Sequence, residues 1–468
     1  MNMTVKHCDV LVVGSGLSGL RAGISALHED NSLSVLLVSN GKGPSGSSFT
    51  NRNQCLGMVV CHDDRESDVF IDAVKSIAAP GIIYSRLPEL MAKESERLFD
   101  DLRQSGFKFK PCGTDGFERF TCCYIKEPKL AYVFTDLPSA FQAMRQRFER
   151  SGGTMLEGFT LKDLIPIVNS SVEGAVFVEQ HTGGHLVVRA KSVILSTGGS
   201  AGLFKRSLAG KENLGFATAL MGGLGVAYVN MPFVQYLWYD VQTLQHWPCW
   251  QIANPGVLIA CPGGESVHAT QEIMELCVTR SHHVPLAHGR PDSSVDNMLL
   301  NHLQSDGTVR IFSPDKGWFT VAPFAHAMNG GAAINEHSET NIKGLFACGE
   351  CAGGMHGANR VGGAMVLATQ VFGELAGIHG ARHAQGLEFT DVKRFMRIVE
   401  DRLSMLHHDD SEWHSGLAAI RKLLEAVSGP WPRGELSSVK NALGNLLHSS
   451  KDWRLNLAFK TARMIADV

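Results

Sequence analysis

The chain has 468 residues, of which 44% are hydrophobic and 19% charged, and its net charge is −3. That length exceeds what one hydrophobic core ordinarily organises, so two or three domains are expected. Acidic and basic residues are mixed along the chain, leaving neither a nucleic-acid footprint nor a polybasic membrane patch. The longest apolar stretches are broken by Gly or Glu, so no membrane span is expected. The 11 cysteines have no framework spacing, and the N-terminus runs almost at once into a strand pattern. Both features read as reduced thiols in a cytoplasmic protein.

Residues 8–13 form a Val-rich run with the length of a buried strand. Gly14-Ser15-Gly16-Leu17-Ser18-Gly19 follows, and then a helical run from Leu20 to Leu27. In a strand–GxGxxG–helix unit, the first Gly makes the tight turn and the second lets backbone approach a pyrophosphate. The third lets helix and strand pack closely. The helix start offers N–H groups and a positive dipole end to phosphates. A plain Gly-rich turn would use the same residues. A second apolar strand, 33–38, ends at Ser39-Asn40, where a dinucleotide fingerprint expects Asp or Glu for the ribose. The missing carboxylate weakens NAD as the ligand.

Further along, Gly43-Pro44-Ser45-Gly46-Ser47-Ser48-Phe49-Thr50 is a polar, turn-rich loop. Residues 67–105 and 138–151 read as helical. Residues 172–195 read as strands, with hairpin signals at Val172-Glu173-Gly174 and His181-Thr182-Gly183-Gly184. They end in Ser196-Thr197-Gly198-Gly199, where backbone N–H groups can face a ligand. Leu161 is a further expected contact. Residues 236–320 lack periodicity and read as an insertion. A third Gly-rich block spans 330–363. From 389 the pattern is helical, with a break at Gly429-Pro430-Trp431-Pro432.

Four of these segments, in order, carry a resemblance. They are the GxGxxG turn, the 45–50 loop, Ser196-Thr197-Gly198-Gly199, and the block from His326-Ala327-Met328-Asn329-Gly330-Gly331 through Ala347-Cys348-Gly349-Glu350 to His356-Gly357-Ala358-Asn359-Arg360. The set resembles the fumarate reductase/succinate dehydrogenase flavoprotein family, which includes L-aspartate oxidase. The resemblance implies an α/β fold: a Rossmann-type FAD-binding domain (1–235 and 321–388), an inserted α+β capping domain (236–320) and a C-terminal helical domain (389–468).

It implies FAD as the cofactor. The expected contacts are Gly14, Ser15, Gly16, Leu17, Ser18, Gly19, Ser39, Asn40, Gly46, Ser47 and Ser48 on the first half. Leu161, Thr197, Gly198, Gly199, Gly349, Glu350, Arg360, Gly363, Ala364, Met365 and Val366 follow. Glu350 matches the acid that holds the ribityl chain. The apolar helix from 363 would aim its N-terminus at the flavin, where its dipole favours reduction. Ser47 stands where some members attach FAD through a histidine, so non-covalent FAD is expected.

The resemblance also implies that His326 and Arg360 grip a substrate carboxylate, for which a planar guanidinium fork is suited. The remainder of the family's substrate site is absent. Its QFHPT segment reads Gln235-Tyr236-Leu237-Trp238-Tyr239, with Leu237 in place of the ligating His. Its RGEG segment aligns with Cys261-Pro262-Gly263-Gly264-Glu265, which has no Arg. Leu237, Trp238 and Tyr239 are expected to make an apolar pocket, so a standard fumarate reductase or aspartate oxidase is not expected. A substitute acid or base is expected from the cap, with Arg290 favoured over Arg280, His282, His283 and His288.

Cys348-Gly349-Glu350-Cys351 is a CxxC, which a redox disulfide would also use. The cysteines lack the spacing of a zinc or iron–sulfur site, so no metal is expected in the chain. Three roles are compatible. The first is an enzyme moving a hydride between flavin and a small carboxylate-bearing substrate. The second is an electron-transfer subunit serving an iron–sulfur partner, and the third is an FAD-binding protein without turnover.

Overall fold

The computed structural model describes residues 3–114, 116–167, 171–404, 409–427 and 436–466. The Val-rich run lies in the strand Met3–Val13, and Val10 to Val12 are completely buried. This strand pairs in parallel with Val35–Ser39 on one side and His185–Leu195 on the other. Thr154–Glu157 and Leu345–Ala347 extend the parallel part. Phe159–Ile167 and Ser171–Glu179 add an antiparallel flank, so seven described strands form the main sheet.

Two helices cover one another beside this sheet, Leu17–Glu29 and Ala364–Ala384. Their approach depends on small residues. A Cβ on Gly377 would lie 2.2 Å from the carbonyl oxygen of Ala22. Arg21 is buried at this contact, with Nε donating to Gln370 Oε1 (2.9 Å) and Nη2 to Asp101 Oδ2 (2.6 Å). A buried guanidinium is tolerated only with such partners.

The stretch 67–105 is two helices, Asp64–Ser76 and Arg86–Gln104, separated around Pro80-Gly81, which do not favour helix. The helix expected at 138–151 is Leu137–Arg150, opened by Asp136, whose side chain accepts from Ser139 N–H. The signal at His181-Thr182-Gly183-Gly184 is a hairpin turn. Val172-Glu173-Gly174 is not: these residues lie within the strand Ser171–Glu179, where Gly174 faces Arg189.

The inserted segment is more regular than its sequence suggests. Val234–Asp240, Gly317–Met328, Val309–Ser313, Leu258–Ala260 and Ser266–Val267 form a five-stranded antiparallel sheet, accompanied by Gln271–Arg280 and Ser293–Leu300. The sheet takes in strand residues on both sides of 236 and 320.

Among the described residues, the C-terminal helices pack into clusters shared with the rest of the chain. Phe395 and Val399 pack on Ile165, Val176 and Val187 of the main sheet. Ile420, Leu443 and Phe459 join Trp238, Val295 and Ile311 of the insertion in one apolar cluster. The break at 429–432 lies outside the described residues.

Candidate cofactor and substrate site

A cavity of about 700 Å³ opens where the first two parallel strands end. Its size falls within the range of ligand pockets, and the carboxyl ends of parallel strands are where such folds bind ligands. Gly14, Ser15, Gly16, Leu17 and Ser18 line it, together with Ser39, Asn40, Gly46, Ser47, Ser48, Leu161, Thr197 and Gly198. Glu350, Arg360, Gly363, Met365, Val366 and His326 line it as well.

The loop geometry suits a phosphate-bearing ligand. Gly14 has φ +108°, and a Cβ there would lie 2.5 Å from Ser196 O. A side chain is therefore barred where the backbone turns toward the cavity. The strand ends are joined by a 2.7 Å hydrogen bond between the Ser15 and Ser39 hydroxyls. Asn40 Oδ1 accepts from the Thr160 hydroxyl (2.6 Å) and from the Gln180 amide. Ser48 Oγ accepts from Leu17 N–H, and Ser47 Oγ from the Asn213 amide, both at 3.3 Å. Hydroxyls, N–H groups and glycines along one elongated wall fit the ribose and pyrophosphate of a dinucleotide.

Four expected contacts do not line the cavity, and three of them show a packing reason. A Cβ on Gly19 would lie 1.9 Å from Gly14 O, so Gly19 sets helix–strand contact. A Cβ on Gly199 would fall 2.3 Å from Glu350 Oε1, and Gly349 abuts Ser18. Ala364 is buried at the start of its helix.

Glu350 lines the cavity and accepts a hydrogen bond from the Met328 N–H at 2.8 Å. Burial pushes its carboxyl up from the usual range, against that N–H and the Arg360 charge. Arg360 is buried, and its Nη1 has no hydrogen-bond partner among the described residues. Burial brings the guanidinium down to about 10, with Glu350 opposing the shift.

His326 owes its position to a bulge. Gln235 pairs with Ala327 and Tyr236 with Ala325, so His326 is the extra residue between them. Bulges re-aim side chains, and here both His326 and Ala327 line the cavity. The His326 ring lies deep in the protein yet is exposed, because its free surface faces the cavity. Burial, and then the Arg360 charge, push its pKa down to about 4.

The cap candidates behave differently. Arg290 is not brought to the cavity: its guanidinium sits 5.4 Å over the Tyr124 ring and 3.6 Å from Asp292. Arg280 is completely buried against Asp296 (2.9 Å), and His283 is held by Asp292 (2.7 Å). Neither these two nor His282 and His288 line the cavity; Val284 and Pro285 do. Trp238 also points away, with its Nε1 donating to Asp296 Oδ1 at 2.9 Å. Only Leu237 and Tyr239 of that trio reach the cavity.

The thiols of Cys348 and Cys351 are free, buried and absent from the cavity wall, and Cys351 Sγ donates to Leu195 O at 3.1 Å. The dithiol alternative has no support from this geometry. Among the described residues no group of His, Cys, Asp and Glu could hold a metal ion, and no helix is long and apolar enough to cross a membrane.

Sequence reading missed several lining residues. Asn51, Arg52 and Leu208 lie in loops without a distinctive pattern, and Trp413 and Arg454 come from the C-terminal helices. Arg454 stacks 4.9 Å from the Trp413 ring. No local signal ties residues so distant in the chain to this cavity.

A family model described as an FAD binding domain matches residues 9–366, most of the chain. The chain belongs to this FAD-binding family. The flavoprotein is an FAD-dependent oxidoreductase, and its relatives include fumarate reductase and succinate dehydrogenase flavoprotein subunits. A fumarate reductase (CoM/CoB) subunit from Methanothermobacter marburgensis is 26% identical, over 88% of this chain and 79% of that protein. An L-aspartate oxidase from Halobacterium salinarum is 27% identical, over 79% of this chain and 74% of that protein. Among solved structures, an E. coli quinol fumarate reductase superposes with TM-score 0.78 at 17% identity, over 99% of this chain and 89% of that one. The flavoprotein therefore shares the fold of these enzymes, with an FAD-binding part, an inserted cap and C-terminal helices.

Proposed function

We propose that this flavoprotein exchanges a hydride between FAD and a small substrate whose carboxylate is gripped by Arg360 and His326. One observation carries the reading: a buried guanidinium on the cavity wall with an unpartnered Nη1. An unmet donor on a buried cation is costly unless a ligand completes it. A carboxylate matches the guanidinium fork in charge and geometry. With its pKa near 4, His326 is neutral at neutral pH and serves as a hydrogen-bond partner.

In this reading the residues from Gly14 to Ser18, with Ser39, Asn40, Thr197 and Gly198, hold the adenosine and diphosphate. Glu350 holds the ribityl hydroxyls. Gly363, Met365 and Val366 present the helix N-terminus to the ring system. FAD supplies hydride acceptance and donation when bound.

The cofactor is held without a covalent link, since Ser47 and its neighbours in that loop offer no histidine. Acid precipitation should therefore release all of the flavin to the supernatant. The free state of all eleven cysteines supports a cytoplasmic location. The reaction is not that of a standard fumarate reductase, because Leu237 cannot hydrogen-bond a second carboxylate.

The test is calorimetric titration of the FAD-loaded protein with small carboxylates and their methyl esters. The acids should bind, the esters should not, and Arg360→Ala should abolish the difference. Equal binding of acid and ester by the unmodified protein would refute the grip.

A second reading has a specific motive. The Methanothermobacter relative and a Wolinella succinogenes one are named as subunits. In that reading this chain passes electrons to an iron–sulfur partner. Isolation of the native protein as a stoichiometric complex with an iron–sulfur protein would favour it.

A further inference from the structure

The wall next to Arg360 and His326 carries more information than the absence of one histidine. The strand Val234–Asp240 sorts its side chains by alternation. Tyr236 and Trp238 enter the large cluster shared with the C-terminal helices. Leu237 and Tyr239 enter a different, small cluster with Ala322 and Phe324, flanked by the half-buried Leu208 and Val284. Four members of this cluster, Leu208, Leu237, Tyr239 and Val284, line the cavity, and Pro285 adjoins them. A detached apolar cluster with one side open to a ligand cavity is surface that a ligand can cover.

The same strand pair carries the polar end. Leu237 faces Phe324, and His326 follows two residues later at the bulge. The His326 half of the carboxylate grip and the apolar wall are thus neighbours on one sheet. The other cations on the cavity are Arg52 and Arg454. Arg52 is exposed, and its Nη1 donates to Leu244 O at 3.1 Å. Arg454 is paired with Asp410 and Asp452. A second carboxylate placed against Leu208, Leu237 and Val284 would lose its water to side chains that carry no donor of their own.

We propose that the substrate is a monocarboxylate with an apolar tail, alkyl or aryl, which lies against Leu208, Leu237, Tyr239 and Val284. This rests on the carboxylate grip proposed above and adds what fills the rest of the site. Crotonate and fumarate make a close comparison, since a methyl group in one replaces a carboxylate in the other. Cinnamate extends the tail to a ring.

The FAD-loaded protein is titrated with crotonate, cinnamate, fumarate and methyl cinnamate, and binding is read by calorimetry and by perturbation of the flavin absorbance. At least one of the two apolar acids should bind about tenfold or more tightly than fumarate, the scale of discrimination an apolar contact provides. Val284→Asn, at a half-buried position that should tolerate the change, should narrow that ratio. Leu237→His should narrow it further where that variant folds. Fumarate binding as tightly as both apolar acids, or a ratio unmoved by Val284→Asn, would overturn the tail assignment and leave the grip standing. Methyl cinnamate binding as well as cinnamate would overturn the grip, and the tail assignment with it.

Discussion

Glu350 Oε1 accepts a hydrogen bond from the backbone N–H of Met328 at 2.8 Å. This contact joins the Gly-rich block beside the cavity to the strand that carries His326, two residues earlier. Glu350→Ala leaves the Met328 N–H without its acceptor, at a cost of about 1–3 kcal/mol, and also removes a proposed FAD contact. We expect lower thermal stability and weaker FAD binding, measured by flavin fluorescence on reconstitution. Glu350→Gln, which keeps an acceptor oxygen, should lose less of both.

Gly19 is a packing position. A Cβ there would lie 1.9 Å from Gly14 O, so Gly19→Ala must push the first helix away from the turn that faces the cavity. Overpacking of this kind costs about 1–3 kcal/mol. Purified Gly19→Ala protein should come off gel filtration largely without flavin. Full retention of FAD would show that the turn does not depend on this contact.

The pKa of His326 is lowered from 6.5 to about 4. Between these values the unfolded chain holds a proton that the folded one does not. The contribution of this group to stability is therefore complete above pH 6.5 and is lost as pH falls toward 4. His246 and His356 shift in the same direction, so only a comparison isolates His326. In the FAD-free protein, His326→Gln should show a shallower loss of stability between about pH 7 and about pH 5 than the unmodified chain. The readout is the urea midpoint at each pH.

The cap holds a fully buried ion pair, Arg280 with Asp296, and Asp296 also accepts from Trp238. Arg280→Met leaves the carboxylate buried without its cation, which costs about 3–5 kcal/mol. Replacing both residues, as Arg280→Met with Asp296→Leu, should recover a large part of that loss in chemical denaturation. A double variant as unstable as the single one would show that the pair is not an independent unit.

Sequence reading reached the parts of the fold whose function depends on the local chain. The GxGxxG turn was legible because Gly14 and Gly19 answer to backbone geometry within six residues. Glu350, Arg360 and His326 were legible through their resemblance to known flavoproteins, and all three line one cavity. The five-stranded cap sheet was not legible, because its strands are short and pair across long separations. The bulge at His326 depends on register, which no single strand encodes. Trp238 was misplaced because the sequence shows alternation without showing which face meets the cavity. Arg290 was misplaced for a related reason: its proximity to Tyr124 and Asp292 arises from tertiary packing. The C-terminal helices were legible as helices, while their partner surfaces, and thus Trp413 and Arg454, were not.

The most direct measurement is an anaerobic titration of the FAD-loaded protein, oxidised and reduced, with saturated and unsaturated carboxylates, following the flavin's visible absorbance. The unmodified protein should be bleached by a saturated acid or re-coloured by an unsaturated one, and Arg360→Ala should respond to neither. A flavin that responds equally in both proteins, or to no carboxylate in either, would contradict hydride exchange with a substrate gripped by Arg360.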